Sequence, residues 1–361
     1  ASDVYKRQFL ASALTTRRSL WSHLALEGNI RVLAAQTLVS QLGFGMFYVV
    51  WQPYLLSTGI DVVELGIIQT IINLSSTAGL LVWGFLSDAF GRKPVILASN
   101  LCRIIALISL IISSNIVFLI LFSFFIGFSA LFMQYNPARS ALTSESVEHS
   151  RLATAFSTLM AINQLTMTVA SSAGGYLAYA LGFYIIFYIC LVVDITGLAI
   201  MALFIKETRR GSLVRIDPSE FTIRRMVDYL RPERGLGVLY SIMLVMGLGY
   251  GVGYSLLFAF LVESYGLTTI QLGIISTAFS LTWGVSSIPV GKLSDRMGRK
   301  PLLLASWTMG LITVVGYLTF QIYELFLLLQ VANALDPTFW TPAWMALVAE
   351  ITDSRNLSTV M

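Results

Sequence analysis

Gly84-Phe-Leu-Ser-Asp-Ala-Phe-Gly-Arg-Lys-Pro94 returns 207 residues later as Gly291-Lys-Leu-Ser-Asp-Arg-Met-Gly-Arg-Lys-Pro301. Each copy stands between two long apolar runs, so each reads as a tight, charged hairpin at a bilayer surface. Aligning 57–99 with 264–306 gives 19 identities in 43 positions. A second motif repeats as well: Pro137-Ala-x-x-Ala-Leu-x-x-Glu145 and Pro342-Ala-x-x-Ala-Leu-x-x-Glu350. The chain is a tandem of two related halves.

Working outward, apolar runs of about 20 residues recur, the length that crosses about 30 Å of hydrocarbon. Ten spans are expected, at 32–56, 65–87, 94–112, 116–139, 153–177, 183–205, 236–262, 271–293, 301–319 and 323–347. Hydrophobic residues make up 56% and charged residues 12%. A soluble globular chain carries about 25% charged residues, so a large soluble core is excluded. Of 23 Arg and Lys, 22 are counted with the tail and the loops after the even-numbered spans, Arg139 and Lys292 at the very ends of spans 4 and 8 among them, and Arg103 alone lies deeper within a span. The loops after the odd-numbered spans hold none. That asymmetry places residues 1–30 in the cytoplasm as a tail, with the polar linker 207–235 on the same side. The same interleaving argues against nucleic-acid binding despite a pI near 9.0. Cys102 and Cys190 lie in apolar runs, and neither they nor the two histidines form a metal or disulfide pattern. Nucleophile motifs and nucleotide-binding loops are missing too, so neither an enzyme nor a cofactor is expected.

The eleven-residue hairpin resembles the loop between helices 2 and 3 of the major facilitator superfamily of secondary transporters. Its second copy resembles the loop between helices 8 and 9. The resemblance covers about 31–361. It implies an all-α membrane protein of two pseudo-symmetric bundles, 31–206 with six helices and 236–361 with four. By internal symmetry a further pair of helices is expected after Glu350, which makes the sequence a fragment of a twelve-helix transporter. The resemblance further implies alternating access in a monomer of the cell membrane, with a small solute and protons as partners. Export of amphipathic compounds leads the alternatives, proton-coupled metabolite uptake and a non-transporting sensor on the same scaffold. The family's drug antiporters often carry a Gly-Pro pair in helix 5 and an arginine in helix 4. Here Ser171-Ser172-Ala173 and Ser123 stand at those places.

Candidate residues fall into three groups. In the family, equivalents of Asp88, Arg92, Lys93, Glu145, Arg151 and Glu207, and of Asp295, Arg299, Lys300, Glu350 and Arg355, form a cytoplasmic ion-pair cluster that opens during transport. Helix capping is the plainer alternative. Gly84, Gly91, Gly291 and Gly298 allow the hairpins to turn, and Gly174-Gly175 should allow close helix contact. Three ionisable residues lie at membrane depth: Arg103, Asp194 and Asp336. Arg103 and Asp194 sit at similar depths and are expected to pair, either as a structural ion pair or as a proton relay. Asp336 precedes Pro337 in span 10 and shares a face with Asn333 and Trp340. It is read either as a local backbone cap or as a cavity-facing proton or cation site. Last, polar residues at helical spacing form possible cavity faces. They are Thr37, Gln41, Gly45, Tyr48 and Gln52 in span 1, and Tyr240, Gly247, Tyr250 and Tyr254 in span 7. Gln134, Asn136, Asn163 and Gln164 join them from spans 4 and 5. Such a stripe can equally be glue between helices.

Overall fold

A computed structural model describes residues 24–130, 136–148, 151–208, 237–297 and 299–351. Among them there are twelve helices and no strand. They are α1 Gly28–Ser57, α2 Val62–Phe90, α3 Arg92–Ile112, α4 Ile116–Phe128, α5 Pro137–Glu145 and α6 Leu152–Leu181. Then follow α7 Phe183–Phe204, α8 Gly237–Gly253, α9 Leu257–Tyr265, α10 Thr269–Met297, α11 Arg299–Thr319 and α12 Tyr323–Ile351. Ten expected spans thus appear as twelve segments, because spans 4 and 7 are interrupted. The tail before Leu24, almost all of the linker, and Arg355 lie outside the described residues.

Local chemistry explains the interruptions and turns. Span 4, drawn from sequence as one helix, leaves the helix after Phe128. It resumes with Pro137 in the first turn, where a missing N–H costs nothing. Asn136 caps that start, its Oδ1 accepting from the N–H of Ala138 at 3.0 Å and of Arg139 at 3.4 Å. At the hairpin, α2 and α3 are separated by the single residue Gly91, whose φ of 100° reverses the chain without a loop.

Burial is inverted relative to a soluble protein. Large apolar side chains face outward, among them Leu203, Phe204, Leu311 and Leu318, the last 70% exposed. Gln36, Gln52, Arg103, Arg139, Asn163, Asp194 and Asp336 are buried. Exposed apolar side chains in such number mark a membrane or protein interface. Among the described residues, five helices are long and apolar enough by themselves to cross a membrane: Gly28–Ser57, Val62–Phe90, Arg92–Ile112, Phe183–Phe204 and Lys300–Thr319.

The chain gathers into two compact units that divide it differently from the sequence repeat. One contains the chain up to Phe44, then Thr70–Thr166 and the segment from Phe187 through α7. Its apolar core includes Leu33, Trp83, Ile96, Leu142, Leu159 and Met201. The other contains Gly45–Gln69, Met167–Ile186 and the chain from α8 onward. Within it α6 is joined to α10 by hydroxyls: Ser171 to Ser276 at 2.9 Å, Ser172 to Thr277 at 2.7 Å, and Thr269 to the Gly175 carbonyl at 2.9 Å. Gly174 allows the close approach expected of it, since a Cβ there would lie 2.5 Å from Met46 Cα.

Gly91 and Gly59 provide a matched test of the hairpin. Both have positive φ, but a Cβ at Gly91 would lie 2.9 Å from Glu207 Oε2, whereas the space around Gly59 is open. Gly59→Ala should cost about 1–2 kcal/mol from backbone strain alone. Gly91→Ala should cost about 1 kcal/mol more, because Glu207 is displaced from the helix start it caps. Thermal unfolding of the two purified variants should rank them in that order.

Candidate functional site

At the hairpin the side chains of the first copy converge. Arg92 Nη1 lies 2.6 Å from Asp88 Oδ1, and Nη2 lies 2.8 Å from Glu145 Oε1 at the end of α5. Glu207, just beyond α7, accepts from the backbone N–H of Arg92 at 3.0 Å and of Lys93 at 2.9 Å. Lys93 Nζ returns the bond to the Ile205 carbonyl at 2.9 Å. A carboxylate thus caps the start of α3 while an ammonium caps the end of α7, both with the favourable sign for the helix dipoles. Arg151 lies 3.9 Å from Glu27. Asp88 is 76% exposed, so its pair with Arg92 contributes about 0–1 kcal/mol. In the second copy, Lys300 is exposed. Gly298 and the side chains of Asp295, Arg299 and Glu350 lie outside the described residues, as does any side-chain detail at Gly291.

Deeper in the same unit, Arg103 of α3 meets Asp194 of α7. Arg103 Nε donates to Asp194 Oδ2 at 2.8 Å and Nη2 donates to Oδ1, a two-pronged pair with both side chains about 5% exposed or less. Arg103 Nη1 is buried with no hydrogen-bond partner.

A second buried arginine escaped the sequence reading, which counted it among loop charges. Arg139 lies six residues before Glu145, about 9 Å further along the helix. Its Nη1 donates to Gln36 Oε1 at 2.6 Å, and its Nη2 reaches Thr37 Oγ1 and the Leu33 carbonyl, tying α5 to α1. Gln36 passes the bond on, Nε2 to Ser40 Oγ at 2.8 Å. A signal was present in the repeat: the position that holds Arg139 in the first motif holds Trp344 in the second.

In the other unit, Asp336 of α12 is buried. Ser306 Oγ of α11 donates to its Oδ1. Gly310, one turn further along α11, leaves the room: a Cβ there would lie 3.1 Å from Asp336 Oδ2. Tyr254 OH donates to the Gly310 carbonyl at 3.4 Å. Asn333 bonds Gln330 within α12 at 2.7 Å, and Trp340 is half-buried. The helix continues through Pro337. Under the repeat's offset, Ser306 and Gly310 stand where Ser99 and Arg103 stand in the first half. One half puts a guanidinium at that position and the other a gap filled by a carboxylate.

The polar stripe of α1 is mostly spent on neighbouring helices. Thr37 serves Arg139, Gly45 packs on Ala170 of α6, and Tyr48 meets Phe258 edge-on at 5.4 Å. Gln52 bonds Ala259 of α9 and Ser255, two residues before that helix. Gln41 is buried, and its Oε1 has no hydrogen-bond partner. Asn163 and Gln164 are buried in α6. Asn136 caps α5 and also donates to Ser99 at 3.1 Å. Gln134 and the side chains of Tyr240 and Tyr250 lie outside the described residues.

The family model of the Major Facilitator Superfamily matches residues 33–258 and again 238–361. Among curated relatives, the chain is 26% identical over 258 residues to the "Multidrug resistance protein MdtG" of Dickeya zeae (strain Ech586), covering 69% of this chain. It is 23% identical over 275 residues to the "Multi-drug resistance efflux pump PmrA" of Streptococcus pneumoniae serotype 4 (strain ATCC BAA-334 / TIGR4), covering 75% of this chain. The matches span 60% and 64% of those proteins' own lengths. Of solved structures, a mutant of the nucleoside transporter NupG superposes with a TM-score of 0.74 at 10% identity, covering 92% of this chain and 86% of that one. A D-xylose-proton symporter gives 0.61 at 11%, with the same coverages.

The Arg103–Asp194 pair should behave as one unit. Arg103→Met leaves a buried carboxylate uncompensated and should cost about 3–5 kcal/mol. The double variant Arg103→Met with Asp194→Leu should recover most of that loss. A double-mutant cycle on unfolding in detergent checks it; additive losses would mean that the two residues act separately.

Proposed function

Since this multi-pass membrane chain belongs to the major facilitator superfamily, we propose that it exports a small amphipathic organic solute by alternating access in exchange for protons. It works as a monomer in the cell membrane with its amino-terminal end in the cytoplasm. The curated relatives whose names describe multidrug resistance and efflux support the direction and the solute class. The chemistry of the interior supports the class independently. Amides and hydroxyls dominate the buried polar positions and stand among buried apolar and aromatic side chains, a mixture that suits a molecule with both polar and apolar faces.

The observation that carries proton coupling is the seat of Asp336. A carboxyl buried in a membrane span costs at least about 2.5–3.5 kcal/mol on insertion scales, and such residues mark ion and proton pathways. Here one bonding neighbour is a hydroxyl, Ser306 Oγ. A hydroxyl donates to a carboxylate and equally accepts from a carboxylic acid. That bond is compatible with either form of the carboxyl, which supports Asp336 as the coupling group. Arg103–Asp194 has the opposite character, a buried two-pronged ion pair. We assign it a structural role in joining α3 to α7. The hairpin cluster of Asp88, Arg92, Glu145 and Glu207 supplies exposed bonds that a conformational change can break at small cost.

Asp336→Asn tests the assignment in proteoliposomes. Gradient-driven movement of an amphipathic dye should be lost, while dye exchange at equal pH on both sides persists. Full gradient-driven transport in that variant would remove Asp336 from the coupling path.

A further inference from the structure

Span 7 is broken. Gly253 ends α8, Leu257 begins α9, and Tyr254, Ser255 and Leu256 between them are not helical. A break of this kind leaves carbonyls at one helix end and amides at the next without partners along the chain. Within a bilayer there is no water to take their place. Leu256, in the N-cap position, has an apolar side chain and makes no capping bond.

The missing cap comes from another helix. Gln52 of α1 is 4% exposed. Its Oε1 accepts from the Ala259 N–H at 2.9 Å, and its Nε2 donates to the Ser255 carbonyl at 2.7 Å. Counting Leu256 as N-cap, Ala259 is the third helical residue, one of the amides that a capping Ser or Asp normally satisfies. One amide side chain thus closes both sides of the discontinuity. Tyr48, one turn back on α1, adds an edge-on contact with Phe258 at 5.4 Å. On the far side of the break, Tyr254 bonds the Gly310 carbonyl beside Asp336.

We propose that Gln52 is the positioning residue of the solute gate, acting as a helix cap supplied in trans: its two bonds hold the span-7 break against α1, and their release opens this end of the pathway. The proposal rests on the alternating-access reading. Gln52 belongs to the first sequence repeat and the break to the second. At each end of such a transporter, segments from the two repeats must part in one state and meet in the other. A bond between a side chain and a helix terminus can part without unwinding a helix. Backbone groups freed in this way then face the water that enters with the solute.

The test uses the full chain in lipid nanodiscs and reads the gate without transport. Gln52→Leu keeps bulk and removes both bonds; Gln52→Glu keeps the acceptor for Ala259. Hydrogen exchange over 254–262 should quicken about tenfold or more in Gln52→Leu and less in Gln52→Glu, with the α3 peptide 104–110 unchanged as the folding control. In the same background, labelling of Ser255→Cys by a membrane-impermeant maleimide should speed up about tenfold over the parent chain. Unchanged exchange over 254–262 would overturn the cap. Faster exchange with unchanged labelling would overturn the gate. If Gln52→Leu loses protection in the α3 control as well, Gln52→Glu decides by the same two readings. Whether the unaltered chain moves ethidium under a pH gradient is measured separately; failure there would count against the transport reading and leave the cap standing.

Discussion

A polar group inside a bilayer has no water to fall back on, so nearly all must find partners within the protein. Most of what distinguishes this chain follows from that constraint. Arg139 reaches across to Gln36, Thr37 and the Leu33 carbonyl. Asn136 caps one helix and donates to Ser99 of another. Serines and threonines of α6 and α10 bond each other. In water these bonds would contribute little net stability, since both partners could be hydrated instead. In hydrocarbon the alternative is an unsatisfied group, and the bonds fix which helix face meets which.

The same constraint sets what the sequence could reveal. The repeat, the spans and the all-helical class were legible because each leaves a linear trace: a duplicated hairpin, an apolar run of fixed length, a charge asymmetry. The hairpin cluster was legible in part, since Asp88 and Arg92 are one helical turn apart and Glu145 closes the next motif. Partner choice at depth was harder. Asp336, Asn333 and Trp340 were placed on one face by counting, but which neighbour that face meets depends on how α12 is rotated, and no periodicity encodes it. Arg139 was misread because a charge within a few residues of a loop motif looks like loop. The break in span 7 had a weak signal in Gly247, Gly249, Gly251 and Gly253, residues that lower helix propensity. Its remedy, a glutamine some 200 residues away, had none.

Two kinds of contact therefore coexist. Buried, mutually charged pairs such as Arg103 with Asp194 are costly to separate and suit parts that move together. Caps and exposed ion pairs, such as Glu207 on the start of α3 or Arg92 with Asp88, exchange readily with water. They suit surfaces that meet in one state and part in another. The chain places the first kind deep between α3 and α7, and the second at helix ends.

The unequal treatment of the two repeats has a consequence for how the protein tolerates change. Its topology is encoded twice, since each hairpin and each Pro-Ala-Leu-Glu motif has a twin. Its buried arginines are encoded once: Arg103 corresponds to Gly310, and Arg139 to Trp344. Duplication supplied redundancy for folding and for the hairpin charges, and none for these buried ones. A lineage of such proteins can drift in either hairpin while the other still orders its half, yet each buried charge is a single point of failure. Sequence variation should therefore be most free where the architecture is most repetitive, and least free at positions that the duplication never copied.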